Sequence, residues 1–286
     1  MQFVTYNIQY GKGQDGQVNL KRISDEVQGA DIIALQEVDR YWHHTGMQDQ
    51  VKVLTEHLPD YYWTYGPGVD LHVEDTTPSE NKRRQFGNMV LSKFPILRSR
   101  HHLLPKRGSV DPLSIQRSTI EATIDCNETR LRIYSIHLTH LASETRLPQV
   151  EKLLHIHQNA IHEGAPMCGD MEGKDYEAGI ADQDVPAEAI LMGDFNFQPF
   201  TPEYHAIVGP LSDYGGLISA PDGFVDAWTR VGHDRNEGHT SDINDQTATL
   251  DYCFVSTSLR HRIKSCRVDS DATGSDHFPV WTEIDL

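Results

Sequence analysis

Between residues 189 and 196 the chain reads Ala-Ile-Leu-Met-Gly-Asp-Phe-Asn, an apolar run that breaks abruptly into polar groups. A run of this length bounded by turn residues suits a buried strand. Asp194 and Asn196, a carboxylate and an amide at the end of that strand, must each find a partner if they are buried. Standing two residues apart, they face the same side in extended geometry. Taken alone, the stretch is also what a strand followed by an Asx turn looks like. What narrows the choice of fold is that the pattern recurs along the whole chain.

Gln2 to Ile8 alternates Phe3, Tyr6 and Ile8 among polar residues and carries Asn7. Asp31 to Val38 is a second buried strand with Glu37 at its end. Asn88 opens a strand running to Ser92, just after the basic run Lys82-Arg83-Arg84. Arg117 precedes the strand Ser118 to Asp125, and His137 lies at the end of the strand Arg130 to Leu138, the two joined at Asn127-Glu128. Asp251 falls in the strand Thr249 to Val255, and Asp276-His277 stand side by side before a last strand, Pro279 to Ile284. Each has an ordinary explanation: a satisfied turn Asn, a salt-bridged Glu, a solvated charge run, a surface Arg, a structural His. The set does not.

The helices are fewer. Asn19 can cap one in which Leu20, Ile23 and Val27 share a face and Gly29 is the stop. Gln48 to Leu58 is helical and ends at Pro59. Ser143 caps a helix to about His162, with Leu147, Val150, Leu153, Leu154 and Ile161 inward; Pro148 fits in its first turn. Tyr61 to Tyr65 is strand-like, 70–82 reads as a long loop, and 164–188 as an acidic surface insertion. Strands outnumber helices, no repeat of fixed period occurs, and no linker divides the chain. One domain over 1–286, an α+β or α/β sandwich, is expected.

Composition limits the chemistry. A chain of 286 residues can bury a sizeable core without disulfides. A net charge of −17 argues against affinity for an extended phosphate backbone, without excluding a small phosphorylated substrate. The four cysteines form no Cys-x-x-Cys pair, and a cytoplasmic protein with reduced thiols is expected. The start has no signal-peptide pattern and no run is long enough for a transmembrane helix. A Gly-rich phosphate loop is absent, since Gly11-Lys12-Gly13 lacks the rest of any such pattern. The strand-end inventory suits one chemistry. Carboxylates such as Glu37 hold a hard divalent cation through oxygen. The cation polarises a phosphoryl oxygen, a second carboxylate handles water, and His and Asn side chains take up the charge on the phosphate.

The order Thr-Tyr-Asn-Ile, Leu-Gln-Glu-Val, Gly-Asn-Met-Val-Leu-Ser, Ile-His-Leu, Gly-Asp-Phe-Asn, Leu-Asp-Tyr and Ser-Asp-His-x-Pro-Val resembles the endonuclease/exonuclease/phosphatase superfamily. The resemblance implies a DNase I-like four-layer α/β sandwich, two mixed β-sheets face to face with helices outside. It also implies Mg²⁺- or Mn²⁺-dependent phosphoester hydrolysis at the mouth between the sheets. By the same resemblance, Glu37 is similar to the main metal ligand, Asn7 to the residue supporting metal and phosphate, and Asp276 to an acid contacting metal or water. Asp194 resembles the group that aligns or deprotonates water, Asn196 the amide holding the phosphate, and His277 the phosphate-binding imidazole. Asp251 looks like the carboxylate that orients His277. His137 stands where some branches place a histidine and abasic-site repair enzymes a tyrosine. Asn88 and Arg117 match positions that touch the phosphate.

Gln9 stands where the repair enzymes carry an Asp, which with His137 moves the chain away from DNA repair. It looks more like the broad bacterial branch that continues Gln-Glu-Val-Asp-Arg, here through Asp39-Arg40. The expected activity is therefore a phosphodiesterase or phosphatase on a small or lipid-type phosphoester, acting as a monomer. The rivals are a nuclease served by a local basic patch, and a binding protein that has kept the fold and lost catalysis. Specificity would sit in loops 41–49, 70–82 and 164–188.

Overall fold

The computed structural model describes residues 1–74, 76–127, 129–169, 184–243 and 246–286. Its apolar strand faces close on one another as two six-stranded mixed sheets. The first contains β1 (Gln2–Asn7), β2 (Ile32–Arg40), β3 (Tyr62–His72), β4 (Arg83–Ser92), β13 (Ile263–Val268) and β14 (Val280–Ile284), in the order β13-β14-β1-β2-β4-β3. The second contains β5 (Ile96–Leu103), β6 (Ser118–Asp125), β7 (Arg130–His137), β8 (Ala189–Asp194), β9 (Phe224–Asp226) and β12 (Asp251–Ser256), in the order β5-β6-β7-β8-β12-β9. A small hairpin, β10 (Ser241–Ile243) with β11 (Gln246–Ala248), stands apart from both. Strands β1 and β2 run parallel, as do β7 and β8, while the other pairs are antiparallel.

Period-two alternation explains the layers. Phe3, Ile32, Ala34 and Val90 of the first sheet meet Ile120, Ile133, Ile190 and Met192 of the second in one buried core. The alternate residues Val4, Tyr6, Ile33 and Leu35 face outward under helices α1 (Leu20–Glu26) and α2 (Gln50–His57). Tyr134, Ile136 and Leu191 do the same under α3 (Ser143–Glu163) and α4 (Pro202–Val208). A one-turn helix, α5 (Ala227–Arg230), follows β9. The four-layer sandwich is thus the expected one. No described helix is long and apolar enough to cross a membrane.

Several boundaries differ from the sequence reading. The expected loop over 70–82 begins as strand, because β3 runs on to His72 opposite Arg83. Cross-strand pairs hold this polar hairpin end, with Arg83 Nε 2.7 Å from Asp70 Oδ1. The basic run Arg83-Arg84 therefore lies within β4 rather than before it. Strand β5 went unanticipated because Arg98, Arg100, His101 and His102 mask its alternation, which an edge strand tolerates. At α3 the cap is Ala142, whose N–H donates to Thr145 Oγ1 (3.2 Å), and Ser143 is the first helical residue. Ile161 is exposed, and Ile156, His157 and Ala160 face inward with Val150 and Leu153. Most of the acidic stretch, 170–183, lies outside the described residues.

Candidate active site

The inner faces change character at one end of the sandwich. Following each inner row to that end gives Phe3-Thr5-Asn7 on β1, Val90-Asn88-Phe86 on β4, Ile133-Ser135-His137 on β7, Ile190-Met192-Asp194 on β8 and Val255-Cys253-Asp251 on β12. Parallel pairing of β1 with β2 and of β7 with β8 carries their C-terminal ends to the same place. Strand β8 can lie this close to β7 only because Gly193 is a glycine: a Cβ there would be 2.0 Å from the Ile136 carbonyl oxygen.

Asp194 is the hub. Asn7 Nδ2 donates to its Oδ2 (2.9 Å), His137 Nε2 is 3.3 Å from the same oxygen, and His277 Nε2 is 4.0 Å away. Burial raises the Asp194 carboxyl to about 7, with His277 pulling the other way. Glu37 reaches the mouth through a break in regular pairing. The β2–β4 register shifts between Leu35 and Val38, and Glu37 itself is left-handed, with φ 60°. Its Oε1 lies 3.9 Å from His137 Nε2. Burial raises its pKa against the pull of Arg117 and His277.

Arg117 is no surface arginine. It is 5% exposed, and its Nη1 donates to His137 Nδ1 (3.0 Å) and its Nη2 to His140 Nδ1 (3.3 Å). A guanidinium cannot accept, so His137 Nδ1 is the acceptor and its proton sits on Nε2, facing Asp194 and Glu37. Burial, then Arg117, hold His137 well below the usual imidazole range, hence neutral.

His277 is its opposite. Its Nδ1 lies 2.8 Å from Asp251 Oδ2, which also accepts from Thr240 Oγ1 (2.7 Å). Burial alone would lower its pKa, but Asp251, Asp194 and Asp276 together push it up to about 10. Asp276 Oδ2 accepts from Gln9 Nε2 at 2.6 Å, so the amide at position 9 engages this acid directly. Beside Glu37 lies Asp39, 0% exposed, lifted to about 8 by burial and by Glu37, with His44 Nε2 at 2.8 Å.

Two expectations change in detail. Asn196 does not continue extended beside Asp194: at φ 54° its N–H turns back to Asp194 Oδ1 (2.9 Å) and its Nδ2 donates to the Leu138 carbonyl (3.0 Å). The Asx turn and the site are one feature, because the chain must leave β8 where the carboxylate is needed. Asn88 lies between the sheets, its Nδ2 donating to the carbonyls of Ser118 and Ser135. Sequence reasoning passed over His140 and Thr240, which act through Arg117 and Asp251 and carry no strand-end signal of their own.

Two groups of residues can hold a cation. Asp194, Asp251 and His277 offer atoms within 4.8 Å of one another. His277 Nδ1 is bound to Asp251, which leaves Nε2 as the atom this imidazole can offer to a ligand. Glu37, Asn7 and Asp276 form an oxygen-rich set in which burial raises both carboxyl pKa values. Neither carboxylate has a Lys or Arg nitrogen within 4.0 Å among the described residues, and oxygen donors of this kind are what a hard divalent cation takes.

Residues 4–277 match the Endonuclease/Exonuclease/phosphatase family. Among curated proteins, Protein cwh43 of Schizosaccharomyces pombe (strain 972 / ATCC 24843) is 30% identical over 158 residues, covering 51% of this chain and 15% of that protein. The chain thus spans a small part of that relative's length. An endonuclease/exonuclease/phosphatase from Beutenbergia cavernae DSM 12333 superposes with TM-score 0.69 at 21% identity, covering 100% of this chain and 71% of that one. The mannosyl-6-phosphatase of Bacteroides thetaiotaomicron VPI-5482 gives 0.66 at 20% identity, with 100% of both chains covered. The human Nocturnin catalytic domain with bound sulfate gives 0.61 at 20%, covering 100% and 93%.

Proposed function

The chain belongs to the Endonuclease/Exonuclease/phosphatase family, and from that premise we propose that it is a divalent-metal-dependent hydrolase of a small phosphoester. The observation that carries this reading is the meeting of Asn7, Glu37, His137, Asp194 and His277 at one end of the inter-sheet core. Glu37, Asn7 and Asp276 would hold Mg²⁺ or Mn²⁺, which would supply Lewis-acid polarisation of a phosphoryl oxygen. Asp194 aligns the attacking water and takes up its proton, a task suited to a carboxyl raised to about 7. His277, held cationic by Asp251, donates from Nε2 to a phosphate oxygen. Neutral His137 donates its Nε2–H beside it, and Arg117 adds a fixed positive charge. Asn196 lines the same edge, while Asn88, with its amide hydrogens bound to carbonyls, supports the site from between the sheets.

The net charge of −17 favours a small substrate over extended nucleic acid. The phosphatase among the structural neighbours is compatible with that choice. In this reading the full chain, 1–286, acts as one catalytic unit and works in the cytoplasm, where its four free cysteines would stay reduced. A panel of sugar, nucleoside and glycerol phosphoesters, assayed with Mg²⁺ beside supercoiled plasmid and oligonucleotides, tests it. Turnover of a small phosphoester at a kcat/KM well above that for any nucleic acid is expected. Rapid nicking with no small-molecule turnover would make the protein a nuclease instead.

A further inference from the structure

Arg84 lies on the inner face of β4, beside the mouth, and its pairing is weak. Several arginines away from the mouth hold a carboxylate at short range. Arg22 reaches Asp15 at 2.9 Å, Arg40 reaches Asp49 at 2.7 Å, Arg100 reaches Glu163 at 2.7 Å and Arg146 reaches Glu203 at 3.0 Å. Among the described residues the carboxylate that Arg84 reaches is Glu74, at 3.5 Å, the outer limit of a hydrogen bond, and the Glu74 side chain is 76% exposed. Its Nε is buried with no acceptor. A buried guanidinium N–H left unpaired is costly and calls for a partner.

Its surroundings favour an anionic ligand. The guanidinium carbon lies 5.6 Å from the ring centre of Trp42, and Trp42 is itself fixed by Nε1 donating to the Gln85 carbonyl at 2.7 Å. Arg84 and Phe86 share the inner face of β4, about 7 Å apart along the strand. The Phe86 ring centre is 6.4 Å from that of His137, and Arg117 lies over the same ring at 5.8 Å. His137, Phe86 and Arg84 on its Trp42 seat therefore follow one another in a row that begins beside Asp194. The planar fork of an arginine matches a phosphate in two-point contact.

We propose that Arg84 is a specificity residue that binds a second phosphate carried on the leaving group, several bonds from the one being hydrolysed. This rests on the phosphoesterase reading above and narrows its substrate class to bisphosphorylated compounds, with Phe86 packing against the skeleton between the two phosphates.

Binding of inert analogues to the full chain in the presence of Mg²⁺ tests the assignment apart from turnover. A series of alkylene bisphosphonates of increasing length is titrated calorimetrically against alkyl monophosphonates of matched length. At the best length the bisphosphonate is expected to bind the wild type at least about tenfold more tightly than its partner, the weight of one charge-assisted contact. Arg84→Ala should bring that ratio close to one, and Arg84→Lys should restore part of it; circular-dichroism melts confirm that both variants fold. Equal affinity for the two analogue classes in the wild type, or a ratio unchanged in Arg84→Ala, would overturn the proposal even if the protein hydrolyses phosphoesters. A ratio that depends on Arg84 in a protein that hydrolyses no phosphoester would uphold the subsite and reject the activity.

Discussion

His277 and His137 are buried imidazoles a few ångströms apart with opposite charge states, and their neighbours explain why. Asp251 faces His277 Nδ1 and lifts it, whereas Arg117 faces His137 Nδ1 and lowers it. Removing Asp251 should therefore move the pH profile of the proposed reaction. In Asp251→Asn the imidazolium loses the carboxylate that holds its proton, so the alkaline limb of kcat/KM should shift to lower pH; an unmoved limb would separate Asp251 from the chemistry. His277→Ala should lower kcat by a hundredfold or more, of the order found for loss of one charge-stabilising donor, in a protein that still folds. At this scale the sequence is legible as an inventory and silent about pairing. Asp276-His277 and Asp251 read as candidates, but the Arg117–His137 contact joins residues that no spacing relates, and Arg117 taken alone looked like surface.

Among the elements, β7 and β8 are legible because apolar residues dominate Leu131 to Ile136 and run without a break from Ala189 to Met192. The far ends of β3 and β4 are not, because Asp70, Arg83 and Arg84 face solvent or the mouth and read as loop. The bulge that turns Glu37 inward leaves no mark in the sequence beyond a carboxylate where a strand should end. Gly193→Ala tests the close approach of β7 and β8. With a Cβ pressed on the Ile136 carbonyl, urea melts should show a loss of about 3 kcal/mol, the size typical of severe backbone clashes; a loss within experimental error would show that the strands can part. On the outer face of the same sheet, burial and then Arg132 lower His157 to about 4. A folded pKa below the unfolded value of about 6.5 means stability is intact above that pH and is lost as pH falls toward 4, by about 3 kcal/mol in all. His157→Gln should lack this part of the acid slope, and equal slopes in the two proteins would contradict it.

For the molecule as a whole, the fold follows from residue alternation more than from local propensity. Two sheets that are apolar on both faces close on one another and take helices outside, and the candidate site lies at the end where their inner rows turn polar. That end was foreseeable from seven strand boundaries. The substrate was not, because the residues proposed to select it, Trp42, Arg84 and Phe86, lie in or beside the β3–β4 hairpin, where no apolar pattern marks a strand. The most direct test of the account is kcat/KM for the best small phosphoester in Mg²⁺, measured for wild type and Asp194→Ala alongside their melting curves. The account predicts a fall of about a thousandfold or more with the fold intact, since burial already opposes the charge on that carboxylate. A folded Asp194→Ala protein that keeps near-wild-type activity would contradict it.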